Sequence, residues 1–211
     1  MPLPIVVLGA GGHSKVLIDT LIAQKAKILG VTDYQLAKKG KLILGIEVIG
    51  DDLMILNYQP NKIRLVNGLG SVGIPVKRKY LFCKFTELGY KFVNVIHPSV
   101  VIALDVHFGE GVQIMAGAVV QTGCRIGKNS IINTKASVDH DCKISAHVHI
   151  APGVTLSGEV EVGEGVHIGT GATVIQGIRI GQNSIIGAGS VVTKDVPSGV
   201  TVMGIPAREV T

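Results

Sequence analysis

Every sixth residue from Ile96 to Val192 is apolar: Ile96, Ile102, Phe108, Ile114, Val120, Ile126, Ile132, Val138, Ile144, Ile150, Leu156, Val162, Ile168, Val174, Ile180, Ile186 and Val192. A period of six fits neither an α-helix nor a flat strand; it is the signature of a parallel β-helix built from hexapeptides. Four residues beyond the aliphatic position the side chain is small or aliphatic, as at Val112, Ala118, Cys124, Ser130, Ala136 and Cys142. Gly follows the sixth residue at Gly109, Gly127, Gly163, Gly169 and Gly181, where a corner's tight backbone path is expected to need it.

The period dictates the architecture. Each hexad supplies one short strand and one corner, and three hexads close a triangular coil. Strands of neighbouring coils lie about 4.8 Å apart, so five to six coils make a prism roughly 25 Å tall. One coil cannot bury its apolar face, but stacked coils share a continuous core. The 28 glycines among 211 residues and an aromatic content of 4% suit a core that admits only slim side chains. No insertion interrupts the register between Ile96 and Val192, so any site is expected on the walls and corners of the prism.

The chain has room for two small domains. A net charge of +5 with no Lys/Arg stripe or interleaved aromatics gives no nucleic-acid signal. It suits an anionic ligand and equally a solvated lysine surface. Cys124 and Cys142, at the small inward position and one coil apart, read as stacked core thiols. An odd count of three cysteines without metal spacing predicts a reducing, cytoplasmic setting. No apolar run approaches the length of a membrane span.

The N-terminal part alternates differently. Ile5 to Leu8 is a short apolar strand, His13 to Lys25 has helical spacing, and Lys27 to Val31, Ile46 to Ile49 and Ile63 to Val66 read as further strands. Asp51 or Asp52 is placed to cap a helix running to Tyr58, and Lys77 to Leu88 is a second amphipathic helix. This βαβαβ order predicts a Rossmann-like α/β domain over residues 1–92, followed by the all-β prism over 93–197 and a tail over 198–211. Gly9-Ala10-Gly11-Gly12, between strand and helix, offers close backbone approach and free N–H groups to a phosphate. The dinucleotide fingerprint wants a third glycine where this chain has Ser14, so a mononucleotide fits better. Asp33, ending a strand on the same crevice, is placed to accept hydrogen bonds from a ribose or base.

His140 and Asp141 form the most promising catalytic pair. His140 stands off the inward register and projects from a wall or corner, and an adjacent carboxylate fixes its tautomer and raises its basicity. That is the equipment of a general base near neutral pH. His147 and His149 supply no converging geometry, so no metal site is expected.

The unbroken hexads resemble the left-handed β-helix acyltransferases. Joined to an N-terminal Gly-Ala-Gly-Gly-His motif, the chain is similar over its whole length to the sialic-acid acetyltransferase-like sugar acyltransferases, whose best-known members are nucleotide-sugar N-acetyltransferases. The resemblance implies an acetyl-CoA-dependent enzyme that acetylates the 4-amino group of a nucleotide-linked 4-amino-4,6-dideoxy sugar for bacterial surface glycans. It implies His140 as general base, Asp141 as its acidic neighbour, His149 at the acetyl end of acetyl-CoA and Gly158 as an oxyanion donor. Thr170 and Ala188 would line the pantetheine groove, and the Gly204-Ile205-Pro206-Ala207-Arg208 segment would lie near the coenzyme's far end. Gly11, Gly12, His13, Thr32, Asp33 and a glycine of the Gly68-Leu69-Gly70 turn, with Gly70 favoured, would bind the nucleotide sugar. The resemblance further implies a homotrimer with its active site between subunits. An O-acetyltransferase acting on sialic acid and a non-enzymatic hexapeptide scaffold are the alternatives.

Overall fold

A computed structural model describes residues 2–210. It divides into two compact units, Met1–Gly70 with Lys77–Pro98 and Ser71–Val76 with Ser99–Thr211.

The first unit is a five-stranded sheet. Its strands are β1 (Ile5–Leu8), β2 (Ile28–Thr32), β3 (Leu42–Ile43), β4 (Ile46–Gly50) and β5 (Arg64–Asn67), in the spatial order β3-β4-β2-β1-β5. β1 pairs in parallel with β2 and β5, and β2 with β4. All four residues of β1 are buried, as a central parallel strand covered on both faces requires. Two helices accompany the sheet, α1 (Gly12–Ala23) and α2 (Val76–Glu87). Phe82 and Phe85 of α2 join Val6, Leu8, Leu65, Tyr90 and Phe92 in one apolar cluster, with the Phe82 and Phe92 ring centroids 4.6 Å apart. The Tyr90 hydroxyl donates within this cluster to the carbonyls of Ile55 and Tyr58.

Two details differ from the sequence reading. Asp51 is the cap, its carboxylate accepting from the Leu53 N–H at 3.0 Å, but the turn it starts, Asp52–Asn57, is 3-10 rather than α-helical. The hairpin of β3 on β4 went unseen because β3 is only two residues long.

The second unit is the expected parallel β-helix. Two-residue strands build three walls. The first runs through Val101–Ile102, Val119–Val120, Ser137–Val138, Thr155–Leu156, Thr173–Val174 and Val191–Val192. The second wall runs from His107–Phe108 to Arg179–Ile180 and the third includes Gln113–Ile114 through Ile185–Ile186. Partners on a wall are 18 residues apart, as in Val119 with Ser137 and Ile131 with His149. From Ile114 to Val192 every residue of the aliphatic series is at most 3% exposed. Each such side chain contributes about 1.5–3 kcal/mol by burial. Ile102, in the first coil, is 37% exposed because it has a neighbouring coil on one side only. The second ladder, including Cys124, Ser130, Ala136 and Cys142, is fully buried. The two thiols donate to the carbonyls of Asp139 and Ser157 at 3.0 and 3.2 Å. The contact with Cys124, followed by burial, pushes the Cys142 thiol up.

The corners correct the expectation for glycine. The left-handed residue is the third after each aliphatic position, and every such residue from Asp105 to Gly189 has positive φ, glycine or not. Gly109, Gly127 and Gly163 are needed for a different reason. A β-carbon at Gly127 or Gly163 would lie 2.5 Å from the backbone nitrogen of Ala146 or Gln182, so the next coil's main chain fills the space. The tail belongs to this second unit: Thr201–Gly204 continues the third wall beside Ile185–Ile186 and turns back as the antiparallel strand Ala207–Val210.

Candidate active site

Residues 139–142 form the corner between the first and second walls. Asp141 occupies the left-handed position with φ 58°, a conformation that Asp tolerates. Its carboxylate turns back along the chain, and Oδ2 lies 2.9 Å from His140 Nδ1. Asp139 accepts the backbone N–H of His140 at 2.8 Å. The imidazole is 42% exposed, so a substrate can reach it. Its Nε2 turns onto the next coil and takes up the space where a side chain at residue 158 would begin. The hydrogen bond that His140 donates to Asp141 is the main influence holding His140 above the ordinary histidine range; desolvation opposes it, and the charges of Asp139, Asp141 and Glu159 add to it. The structure therefore brings His140, Asp141 and Gly158 together at one open corner.

His149 lies elsewhere, on the third wall. It stands off the inward register yet is only 7% exposed. The segment 71–76 lies against this wall. His149 Nδ1 is 2.8 Å from the Ser71 carbonyl and 3.1 Å from its hydroxyl, and Asn133 Nδ2 is 3.1 Å from Nε2. The His167 ring stacks edge-on at 5.1 Å. Sequence reasoning missed Ser71 and Asn133. Asn133 sits near its partner's coil in the 18-residue register, but nothing local marks Ser71. His147, at a corner with φ 63°, is buried against Asn129 Nδ2 at 2.8 Å. Thr170 and Ala188 are exposed one coil apart on the corner between the third and first walls, and the Thr170 carbonyl accepts from the Gly189 N–H at 2.8 Å.

In the first unit, Gly11 caps α1 without any side-chain hydrogen bond, and β-carbons added at Gly11 or Gly12 would meet nothing within 4 Å. The helix N-terminus is thus open to a ligand. Ser14, in place of the fingerprint's third glycine, is fully buried; its hydroxyl donates to the Gly9 carbonyl and lies 3.0 Å from that of Gly68. It stitches the two glycine turns together. A β-carbon at Gly68 would strike the Ser14 hydroxyl and lie 2.5 Å from the Leu8 carbonyl, whereas one at Gly70 would lie 3.3 Å from His13 Cβ. Gly68 is therefore a packing glycine, and Gly70 is the one beside His13.

Thr32 donates to the Asp52 carboxylate. Asp33 is buried and accepts from the Ala10 and Gln35 N–H groups and the Lys38 ammonium, each at 2.9 Å. Burial opposes its charge, but these bonds outweigh it and hold the carboxyl below its usual range. Lys38, which sequence reasoning did not pick out, completes this knot.

A surface groove of about 550 Å³ lies along the second wall among Lys143, Glu161, Arg179 and Asp195, and none of the expected site residues lines it. Glu161 bridges Lys143 at 2.8 Å and Arg179 at 3.4 Å there. Among the described residues, no group of three or more His, Cys, Asp or Glu side chains is placed to hold a metal ion, and no helix is long and apolar enough to cross a membrane.

A hexapeptide prism with a carboxylate-supported histidine on an open corner has the equipment of an acyltransferase. Comparison with known proteins agrees. Residues 4–85 match the PglD N-terminal domain, and residues 105–140 and 159–194 match the bacterial transferase hexapeptide repeats. No curated protein matches the chain. Among solved structures it is similar to PerB from Caulobacter crescentus in complex with CoA and GDP-perosamine, at 39% identity and TM-score 0.89 over 99% of this chain and 97% of that one. It is similar to the acetyltransferase domain of PglB from Neisseria gonorrhoeae with acetyl coenzyme A, at 35% identity and TM-score 0.91 over 100% of both chains. WeeI from Acinetobacter baumannii matches at 29% identity and TM-score 0.88, over 99% of this chain and 100% of that one. The chain belongs to the hexapeptide-repeat sugar N-acetyltransferases.

Proposed function

We propose that this protein transfers the acetyl group of acetyl-CoA directly to the 4-amino group of a nucleotide-linked 4-amino-4,6-dideoxy sugar, in the cytoplasm, for bacterial surface glycans. The observation that carries the reading is the His140 corner: Nδ1 held by Asp141 at 2.9 Å, Nε2 lying over Gly158. The solved relatives support the substrates, since PerB holds CoA and GDP-perosamine and the PglB domain holds acetyl coenzyme A.

The neutral sugar amine attacks the thioester carbonyl. His140 Nε2 takes the proton that the amine loses, an effect on the order of a hundred- to ten-thousandfold. The Gly158 N–H polarises the carbonyl, worth about 3 kcal/mol for such a donor. The thiolate of CoA leaves as the amide forms, so no acyl-enzyme is needed. Residues 1–92 bind the nucleotide sugar through Gly11, Gly12, His13, Thr32, Asp33 and Gly70. A carboxylate offers about four acceptor sites, so Asp33 keeps roughly one for a ribose or base beside its three internal bonds. Residues 93–197 bind acetyl-CoA through His149, Thr170 and Ala188, with the tail 198–211 near its far end.

The base stands on the corner between the first and second walls, and Thr170 and Ala188 on that between the third and first. This separation supports a homotrimer in which each active site draws its base and its coenzyme groove from neighbouring protomers. The test is a thiol-release assay with acetyl-CoA across UDP-, GDP- and dTDP-linked 4-amino sugars. Release with one of them, giving an alkali-stable amide, is expected; an alkali-labile ester formed on sialic acid instead would overturn the reading.

A further inference from the structure

The site is completed by a residue with no side chain. Residues 105, 123, 141, 159 and 177 stack as one column at the corner that carries His140, and all five take the left-handed backbone conformation. Within this column the carboxylate of Asp141 leans toward the preceding coil. Its Oδ1 occupies the place where a β-carbon at residue 123 would stand, and its Cγ lies 3.3 Å from that point. The backbone of the two coils is joined here by the Asp141 N–H donating to the Thr122 carbonyl at 3.0 Å. The carboxylate thus lies between the backbone of residue 123 and the ring it serves.

We infer that Gly123 is a positioning residue for the base: the slot left by its missing side chain is what lets the short carboxylate of Asp141 reach Nδ1 of His140. The inference rests on the proposed role of His140 and deepens it. Asp141 is next to His140 in sequence, so its carboxylate reaches back to its neighbour's ring only in a restricted rotamer. Oδ2 makes the bond to Nδ1 at 2.9 Å, and in that orientation Oδ1 lies over residue 123. Any side chain at 123 expels Oδ1, and the rotation that relieves the clash carries Oδ2 away from the ring. Gly123 acts through Asp141 alone. The other charges near His140 are Asp139 on its own coil and Glu159 on the next, and neither depends on the slot.

The corner conformation offers a strain-matched test. Asn129 and Asn183 hold the same left-handed position in other hexads, so the fold accepts Asn there. Gly153 has φ +69° against +74° at Gly123, and a β-carbon at Gly153 meets nothing within 4 Å. The full-length variants Gly123→Asn and Gly153→Asn are therefore compared, with NMR titration of His140 as the first readout. Gly123→Asn is expected to move the His140 midpoint down toward an ordinary histidine, and Gly153→Asn to leave it where the parent has it. The second readout is kcat/KM, expected to fall at least tenfold in Gly123→Asn, with no further loss when the change is made in an Asp141→Asn background. A His140 midpoint unchanged in Gly123→Asn, or moved equally by Gly153→Asn, overturns the inference. The NMR readout is independent of turnover, so failure of the base assignment itself, read from His140→Ala, is told apart from failure of the slot.

Discussion

The Nδ1 atom of His149 lies 2.8 Å from the carbonyl oxygen of Ser71. A carbonyl only accepts, so this nitrogen carries the ring's proton and Nε2 accepts from Asn133 Nδ2 at 3.1 Å. The tautomer follows from these partners. His149 thereby ties the segment 71–76, which leaves the Gly68-Leu69-Gly70 turn, to the third wall of the prism.

His149→Phe keeps the ring's bulk and removes both bonds. It is expected to cost about 1–3 kcal/mol of stability, the usual consequence of leaving buried partners unpaired. Amide exchange in residues 71–76 should accelerate in the same variant. Unchanged protection there would mean that the tether does not hold the segment.

Asp141→Asn tests the electrostatics of the base. The Asp141 hydrogen bond raises His140 above the ordinary range, and the base works only when neutral. With His140 as the proposed base, activity of the parent is therefore expected to rise with pH through that raised value. Removing the carboxylate lowers it, so the acid limb of the kcat/KM profile should move to lower pH while the maximum falls. A superimposable profile would leave Asp141 a purely structural part.

The two glycines of the turn after β5 should separate cleanly. Gly68→Ala drives a β-carbon into the Ser14 hydroxyl and the Leu8 carbonyl, and is expected to destabilise the protein by about 1–3 kcal/mol, as overpacking does. Gly70→Ala meets His13 Cβ at 3.3 Å, a contact that a small shift relieves. Its melting temperature should stay near the parent's while KM for the nucleotide sugar rises severalfold. Thermal melts and initial rates check both.

Asp33 predicts a pH dependence of stability. Its folded-state value is depressed, so its contribution is fully present above the unfolded carboxylate value and is lost as pH falls through the lower folded one. Asp33→Asn should lower stability near neutrality and flatten the acid limb of the unfolding curve. Parallel acid limbs for parent and variant would contradict the account.

The prism was legible because its physics is local and repeated. One aliphatic residue in six and a small one four places on mark a coil whichever hexad is read, and both ladders are buried as expected. The outward placement of His140 and Asp141 was legible for the same reason, since the register says which residues point outward. Gly123 was within reach of the same register, being 18 residues before Asp141, but a glycine shows its effect only through the neighbour that uses its space. Ser71 was out of reach: it covers His149 from 78 residues away through a loop with no periodicity. The corner glycines misled because two causes produce the same residue. Left-handed corners accept Asp, Asn, Lys, His or Glu here, whereas Gly127 and Gly163 are dictated by the main chain of the coil beside them.

The most direct measurement is the single-turnover rate of acetyl transfer by His140→Ala, taken with a 4-amino nucleotide sugar on which the parent is active, alongside acetyl-CoA affinity by calorimetry. With His140 as the base, the rate is expected to be at least a hundredfold lower and coenzyme affinity nearly intact. Transfer at the parent's rate would contradict it.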